Sequence, residues 1–376
     1  MKSNYNQLGQ YIEMVSRTNS DLKYGIEDVR GCSNTKQMMQ TRANLIGRTY
    51  EKFIVLRPQE FVFNRRTTRN GEKIGMAYNN TDREYIFTND YVAFRVKQEY
   101  LDKLLPDYLY MFFCRDEFDR YARYKSTGSA TEFFNWEDMC AVPFEIPPMD
   151  FQQLVVNAYK VLNERIETKQ KINDNLLATT QAIYKSWFVD FEPFDNVCPS
   201  DWGNGCVDDI AEFYDSMRKP LSSLERADME RIYPYYGAVS IVDYVDDFIF
   251  DGEYLLLSED GIYVVDENGH PLLQHITGKF WANNHAHILK GKSGFNEDSL
   301  YLFLANTNMA PIVTGAAQPK INQANLKSFP ITIPTSEVIE NFNALIQPFF
   351  DQRLSNEAEV KKLESLKDLL LSRLVN

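Results

Sequence analysis

The feature that most restricts the fold of this chain is an internal repeat with a constant spacing of 187 residues (126 to 313). The residues STGSAT at 126–131 are similar to VTGAAQ at 313–318. At the same spacing, VPFEIP at 142–147 aligns with FPITIP at 329–334, whereas the sequences between these segments differ almost completely. Because similarity at a fixed spacing indicates duplicated structural units, we predict two copies of one framework with divergent surroundings.

A long helical pattern closes each copy. After Pro147, and again after Pro334, apolar residues recur at intervals of three and four among Glu, Lys, Gln and Asn, which is typical of amphipathic helices. A helix of about 40 residues is roughly 60 Å long, too long to be covered by one small domain. We predict that the two helices pack against each other within the chain; the alternative is a pair of coiled-coil struts for dimerisation. Pro348 predicts a kink or break in the second helix.

The rest of each copy predicts a globular head of mixed secondary structure. Short aromatic and β-branched runs bounded by Asn, Asp and Gly indicate strands. They lie at 51–55, 60–64, 91–96, 248–250, 254–257, 261–266 and 285–289. Residues 108–113 and 300–304 are predicted to be helical, and residues 190–226 to be rich in loops.

The predicted fold class is therefore α/β, of the α+β type, with two heads and two long helices. The predicted domains are a first head at 1–147, a central helix at 148–190, a second head at 191–334 and a C-terminal helix at 335–376.

Composition argues against several classes of protein. A formal charge of −13 is unlike that of a protein that coats nucleic acid without specificity, although a local basic face is compatible with this total. The chain contains no apolar run of about 18 residues, and residues 1–10 are polar rather than signal-like. We expect a soluble, cytoplasmic protein. The five cysteines include no C-x-x-C pair, so neither a disulfide framework nor a zinc knuckle is predicted.

Sequence motifs for catalysis and metal binding are also missing. The chain has no G-x-x-x-x-G-K-S/T phosphate loop. The Glu-x-Lys triplet at 359–361 is expected on a solvated helix face rather than in a nuclease. His285 and His287 alternate on a predicted strand, but the sequence places no third ligand beside them, so no metal site is predicted. His270 and His275 are expected at the surface near a turn.

Four segments together resemble one known family. They are YKSWFVDF at 184–191, DGEYLLLSEDG at 251–261, TGAAQPKI at 314–321 and FPITIP at 329–334. Their order, within a duplicated arrangement of variable head and long helix, resembles the specificity subunits of Type I restriction-modification systems over nearly the whole chain. The first copy departs from this pattern because its loop lacks the Gln-Pro pair of the second. The Asn-Pro-Pro-Tyr and Asp-Pro-Pro-Tyr tetrapeptides of adenine methyltransferases are absent.

The resemblance implies two target recognition domains related by a pseudo-twofold and joined by two antiparallel coiled-coil helices. Such a subunit reads a bipartite site in double-stranded DNA, and its helix length sets the spacing of the half-sites. The implied partners are two methyltransferase subunits, which use S-adenosylmethionine, and restriction (motor) subunits, which use ATP and Mg²⁺. This chain is expected to bind no cofactor and to be non-catalytic. The alternatives are a self-contained methyltransferase or nuclease, and a structural coiled-coil protein with adhesive heads.

The two repeated loops carry the first group of predicted DNA contacts. Their residues are small enough to bring backbone N–H groups close to a phosphate, with lysines and amides beside them. The candidates are Lys125, Thr127, Gly128 and Ser129 in the first copy, and Thr314, Gly315, Gln318, Lys320 and Asn322 in the second. Gln318 and Asn322 have the amide groups that pair with adenine. The alternative for both loops is a tight turn that packs a helix.

Two other segments offer further DNA contacts. In the first head, three arginines among Asn and Thr residues offer guanidinium groups to phosphate or guanine, the alternative being a solvated hairpin tip. These are Arg65, Arg66 and Arg69. Weaker candidates in the second head are Lys279, Asn283 and His285.

Overall fold

A computed structural model describes residues 6–41, 45, 47–67, 73–128, 131–261, 264–315 and 317–374 of the chain. Its contacts separate two compact units, the first formed by Met1–Thr168 with Val360–Asn376 and the second by Lys169–Glu359. Each unit therefore contains one head and a part of both long helices. Within the described residues, no helix is both long and apolar enough to cross a membrane.

The first unit is built on an antiparallel sheet. Its strands are β1 (Ile12–Val15), β2 (Arg30–Cys32), β3 (Met38–Gln40), β4 (Ile54–Leu56), β5 (Phe61–Asn64), β6 (Met76–Tyr78), β7 (Tyr85–Phe87) and β8 (Tyr91–Val96). Its helices are α1 (Pro106–Phe113), α2 (Asp116–Lys125), α3 (Trp136–Cys140) and the first half of α4 (Met149–Phe188). Four strands pair in the order β1-β8-β5-β6. Phe61 and Phe94 stack across this sheet at 5.0 Å, and Phe113 meets both edge-on, so aromatic rings fill the core.

The second unit contains a six-stranded sheet. Its elements are β9 (Gly203–Cys206), α5 (Val207–Ile210), β10 (Ala211–Phe213), α6 (Ser223–Ala227), β11 (Tyr233–Tyr236), β12 (Ile241–Val245), β13 (Phe250–Ser258), β14 (Leu273–Ala282), β15 (Ala286–Gly291), α7 (Glu297–Ala305), α8 (Gln323–Lys327), β16 (Pro330–Ile333) and most of α9 (Ser336–Ser372). The strand order is β10-β15-β13-β14-β11-β12, and β9 pairs separately with β16. Leu255 and Leu257 of β13 share the core with Phe342 of α9. The region at 190–226, predicted as loop-rich, thus supplies β9, α5 and β10.

The predicted duplication is present in the secondary structure. Helices α3 and α8 have equivalent bounds, 136–140 and 323–327, at the spacing of the repeat. The long helices α4 and α9 begin at Met149 and Ser336, again at that spacing. Asn135 and Asn322 occupy the N-cap positions of α3 and α8, where a side-chain oxygen can pair with an otherwise unpaired helix N–H group. The repeated segments therefore form the same local structure twice.

Most of the predicted elements agree with the structure. The helices predicted at 108–113 and 300–304 are confirmed as parts of α1 and α7. The strands predicted at 60–64, 91–96, 254–257 and 285–289 correspond to β5, β8, β13 and β15. The strand predicted at 261–266 has residues 262 and 263 outside the described part of the chain, and its remaining residues form no named strand.

The break predicted at Pro348 is wrong, because α9 continues without interruption from Ser336 to Ser372. Proline removes one backbone N–H group from a helix and crowds the preceding turn. Here, the side chains of Phe342, Ile346 and Phe350 are all buried in the core of the second unit. Burial of the helix face on both sides of the proline thus maintains the helix.

In the second unit, the long helices run in opposite directions and meet at a buried asparagine. Asn356 of α9 is 1% exposed. Its Nδ2 donates to Oδ1 of Asn173 at 2.8 Å, and its Oδ1 accepts from Nζ of Lys169 at 2.9 Å. Further along α4, the ring of Trp187 lies 5.6 Å from that of Phe342, which precedes Asn356 in α9. A polar contact among apolar helix contacts favours one alignment of the pair.

A buried charged network joins distant segments of the second unit. His287 is fully buried, with Nδ1 2.6 Å from Oδ2 of Asp215 and Nε2 2.8 Å from the carbonyl oxygen of Ile321. Arg218 bridges two carboxylates, at 2.5 Å from Glu259 and 3.4 Å from Asp215. Because a carboxylate and a carbonyl only accept hydrogen bonds, both ring nitrogens of His287 carry hydrogen in this arrangement.

The network stabilises its carboxylates in the charged form. Burial would raise the pKa of Asp215, but the hydrogen bond and charge of His287, with Arg218, outweigh burial and lower that pKa. Burial would also raise the pKa of Glu259, but hydrogen bonds from Lys320 and Arg218 outweigh burial and lower that pKa. A carboxyl group whose folded-state pKa is lowered stabilises the fold above its unfolded pKa of about 4. That contribution is lost as the pH falls through the folded-state pKa.

Replacing the buried asparagine should destabilise the helix pair. In Asn356→Ala, Oδ1 of Asn173 loses its donor and Lys169 retains only its ion pair with Glu359, so we expect a loss of about 1–3 kcal/mol. Urea denaturation should show a lower free energy of unfolding. Asn175→Ala, at an exposed position of α4, is the matched control and should change it by less than about 0.5 kcal/mol. Equal effects of the two changes would contradict the assigned contact.

Breaking the charged network should lower the free energy of unfolding more than the Asn356 variant does. In Asp215→Asn, Arg218 and His287 remain buried with one carboxylate fewer, a loss on the order of 3 kcal/mol at neutral pH. The difference from the parent protein should shrink as the pH falls below about 4, since the parent then loses the same carboxylate. Urea denaturation across pH measures both effects. Asp201→Asn, at an exposed position, is the control and should leave stability unchanged at every pH.

Candidate nucleic-acid interface

In the first unit, the repeated loop lies directly beside the arginine segment. Thr127 and Phe133 exchange backbone hydrogen bonds at 3.1 and 2.9 Å, which closes the loop. Phe133 also bridges to Arg66, and the N–H of the next residue, Phe134, donates to the carbonyl of Arg65 at 2.9 Å. The structure thus brings together two segments that are about sixty residues apart in the chain and that sequence reasoning treated separately.

The second unit contains a loop of the same construction. Thr314 and Lys320 exchange backbone hydrogen bonds at 2.8 Å each. Lys320 also bridges to Asp260, and the N–H of Ile321 donates to the carbonyl of Glu259 at 2.9 Å. Thr127 and Phe133 align with Thr314 and Lys320 at the spacing of the repeat, so both loops are closed at equivalent residues.

Each loop needs glycine at its second position. Gly128 has φ +149° and Gly315 has φ +85°, in the region that favours glycine. A Cβ atom at Gly128 would overlap the carbonyl oxygen of Thr131, and one at Gly315 would overlap that of Gln318. The glycines are therefore required by the turn itself, which supports the alternative interpretation of a tight turn. A backbone role in phosphate contact stays a prediction.

The positive charges beside the loops are held in different ways. Arg65 is exposed, and Arg66 lies 3.7 Å from Asp90 with about half of its side chain exposed. Nζ of Lys125 lies 5.8 Å from the ring centroid of Tyr121. Lys320 instead forms an ion pair with Glu259 at 2.9 Å, and this hydrogen bond raises its pKa. The charge of Lys320 is thus partly neutralised by Glu259.

The two histidines of the predicted strand do not converge on one ligand set. The Nδ1 atom of His285 lies 2.6 Å from Asp260, and its side chain is 48% exposed. His287 instead belongs to the buried network of Asp215 and Arg218. The exposed imidazole of His285 lies next to the loop of the second unit, because Asp260 bridges to Lys320. This position is compatible with its predicted DNA contact.

Three other candidates of the second head have structural partners. Oδ1 of Asn322 accepts from the N–H of Asn325 at 2.8 Å and caps α8. Asn283 is 8% exposed, and its Oδ1 accepts from the N–H of His285 at 2.9 Å. Lys279 pairs with β13 in the sheet and its ammonium packs over a phenylalanine ring at 4.4 Å. Gln318 is exposed.

Two candidates, Arg69 and Ser129, lie outside the described residues. The acidic residues Glu259 and Asp260, which support the second loop, were missed by sequence reasoning. They belong to the segment DGEYLLLSEDG that resembles the family pattern, but the sequence does not show that they contact Lys320, since backbone pairing brings them together. The exposed or half-exposed residues that stay predicted DNA contacts are Arg65, Arg66, Lys125 and Thr127 in one unit, and Thr314, Gln318 and His285 in the other.

The chain is similar to proteins of known class. A family model described as "Type I restriction modification DNA specificity domain" matches residues 199–367. A Haemophilus influenzae protein named as a type I restriction enzyme specificity subunit is 36% identical over 143 residues, 37% of this chain and 36% of that protein. The MjaIX specificity subunit of Methanocaldococcus jannaschii is 23% identical over 299 residues, 73% of this chain and 69% of that protein.

The alignment with the Haemophilus influenzae protein spans about a third of that relative's length. Similarity of fold extends further. The crystal structure of the Type I restriction-modification S subunit from M. genitalium matches with a TM-score of 0.54 at 13% identity, over 100% of this chain and 98% of that one. The fold, the duplicated loops and the matched domain agree with the resemblance found in the sequence. Residues 199–367 thus match a Type I restriction modification DNA specificity domain, and the chain as a whole is similar to specificity subunits of Type I restriction enzymes.

Proposed function

We propose that this chain is the DNA sequence-specificity subunit of a Type I restriction-modification complex, in which each head binds one half of a bipartite site. The observation that carries the proposal is the presence of two loops with equivalent backbone pairing and different exposed side chains. Contacts to phosphate position a protein on DNA, whereas contacts to base edges specify the sequence. The shared loop backbone would position both heads on DNA in the same way, and the different side chains would let each head recognise a different base sequence.

The two heads would use different chemistry. In the first, the exposed guanidinium groups of Arg65 and Arg66 have the geometry to contact phosphate or guanine. In the second, the amide of Gln318 and the imidazole of His285 are the exposed hydrogen-bonding groups beside the loop. The formal charge of −13 is compatible with this proposal, because only the DNA-facing side of each head has to be locally attractive.

Catalysis in this proposal belongs to partner subunits. Two methyltransferase subunits would supply S-adenosylmethionine and the methylation of adenine, and restriction subunits would supply ATP-driven movement with Mg²⁺. The absence of a phosphate loop and of methyltransferase tetrapeptides in the sequence supports a non-catalytic role. In each unit, exposed apolar side chains of α4 and α9 offer contacts for the methyltransferase subunits. They include Leu154, Val161, Ile172, Leu345, Leu366 and Leu369.

The proposed function predicts a methylation pattern that depends on this chain. The methyltransferase encoded beside it should co-purify with it. Sequencing of methylated adenines in host DNA should show a bipartite motif only when this chain is present. Replacing residues 191–334 with the corresponding head of another subunit should change one half of that motif and leave the other half intact. An unchanged methylation pattern without the chain would contradict the proposal.

Variants at the two loops should separate affinity from specificity. Arg65→Ala with Arg66→Ala removes two charges that contact phosphate or guanine, so the affinity of the assembled complex should fall. The slope of log K against log salt concentration should also become shallower, by about 0.9 for each phosphate that the variant no longer neutralises. Gln318→Ala should instead relax the sequence preference at one position, by about 1–3 kcal/mol. Competition binding at several salt concentrations measures both effects.

Lys52→Ala is the control for the arginine variants, because Lys52 is an exposed positive residue away from the loop pairing. It should leave both affinity and salt dependence unchanged. All variants should still co-purify with the methyltransferase subunit. Arginine variants that bind DNA like the Lys52 variant would remove this segment from the interface.

A further inference from the structure

A second cluster of ionisable side chains lies in the second unit, separate from the network of His287. Glu253 is on β13, His275 on β14 and Asp298 in the first turn of α7. Nε2 of His275 lies 2.6 Å from Oε1 of Glu253, and its Nδ1 lies 3.6 Å from Oδ1 of Asp298. One ligand atom of each residue lies within 4.8 Å of the other two. Each nitrogen of the His275 ring therefore faces one carboxylate, and the three residues come from three different elements.

This cluster contains an unpaired buried oxygen. Asp298 is 3% exposed, and its Oδ1, which is directed toward His275, has no hydrogen-bond partner. Among the described residues, the ion-pair partner of both Glu253 and Asp298 is His275, and neither carboxylate pairs with a lysine or arginine. A buried acceptor without a partner costs free energy. The geometry thus leaves a position for a cation that no described side chain occupies.

The network of Asp215, Glu259 and His287 provides the contrast within the same unit. It has the same residue types, and its three ligand atoms also lie within 4.8 Å of one another. There, however, Arg218 bridges both carboxylates, and both nitrogens of His287 have hydrogen-bond partners. A protein cation already fills that site. The cluster of Glu253, His275 and Asp298 lacks the equivalent arginine.

We propose that Nδ1 of His275 and Oδ1 of Asp298 bind one divalent transition-metal ion of the zinc class, with water completing the coordination. Glu253 accepts a hydrogen bond from Nε2 of His275 and orients the ring. Zinc is bound by imidazole nitrogen at about 2.0–2.1 Å and by carboxylate oxygen at about 2.0–2.2 Å. Two such ligand atoms in tetrahedral geometry are about 3.4 Å apart, close to the 3.6 Å between Nδ1 of His275 and Oδ1 of Asp298. Mg²⁺ prefers a set of oxygen ligands and a hydrated shell, so an imidazole favours the transition metal.

The surroundings of the cluster support the same assignment. His275 also lines a cavity of about 130 Å³ with Tyr301, Phe350, Arg353 and Glu357, so one side of its ring borders space large enough for water. The ring of His275 stacks on Tyr301, with centroids 6.2 Å apart, so its orientation is defined. A bound ion would connect β14 with the start of α7. We therefore expect it to raise the thermal stability of the protein.

The full-length chain, treated with EDTA and then freed of EDTA, is the material for the test. Titration with ZnCl₂ by calorimetry should show one saturable site per chain, and Zn²⁺ should raise the melting temperature. MgCl₂ at the same concentrations should do neither. Asp298→Asn and His275→Gln should each remove the site and the temperature shift. His270→Gln alters a second histidine, 3.5 Å from Asp266, and should retain both.

Asp298→Asn is the most informative variant, because it should not harm the fold. Asparagine has nearly the same shape as aspartate and carries no charge that has to be buried, and Oδ1 of Asp298 has no hydrogen-bond partner to lose. The metal-free Asn variant should therefore melt at or near the temperature of the metal-free parent.

Three results would overturn the proposal. The parent chain could bind no Zn²⁺, Asp298→Asn could retain the site, or His270→Gln could lose it to the same extent as His275→Gln. If Asp298→Asn failed to fold, the result for His275→Gln would decide. None of these measurements involves DNA, so their outcome is independent of the proposed function.

Discussion

The structure depends on the burial of both long helices in both hydrophobic cores. In the first unit, Val155 and Val156 of α4 pack with Leu371 of α9 against the aromatic sheet. In the second, Tyr184 of α4 packs with Phe342 of α9. Fully burying one such side chain contributes about 1.5–3 kcal/mol. Because each core takes residues from both helices, neither head is completed by a contiguous stretch of sequence.

The duplicated loops are supported differently in the two units. Phe134, which follows the first loop, is fully buried against Phe63 and Phe118. The equivalent residue of the second copy is Ile321, whose carbonyl accepts a hydrogen bond from His287. The first loop therefore rests on aromatic packing and the second on a charged network. A conserved backbone with separate supports allows the surrounding side chains to differ between the heads.

Several residue types that suit DNA contact have other partners in the fold. Lys320 forms an ion pair with Glu259, Asn322 caps a helix, and Asn283 shapes a turn. Their residue types and positions suggested DNA binding. Amide and ammonium groups, however, form hydrogen bonds equally well with DNA and with other groups of the protein. Arg65 and Arg66 remain candidates, since their backbone pairing to the first loop places their side chains at an exposed edge.

The sequence by itself determined the duplication, the two long helices and the position of the loops. These features rest on local periodicity and on a spacing of 187 residues (126 to 313) that is visible in the chain. The tertiary structure alone decided which charges pair, as in His287 with Asp215, 72 residues apart, and Arg218 with Glu259, 41 residues apart. It also decided that α9 continues past Pro348. The reason is that side-chain partners and buried helix faces depend on strand pairing and packing across long stretches of chain, which local sequence does not encode.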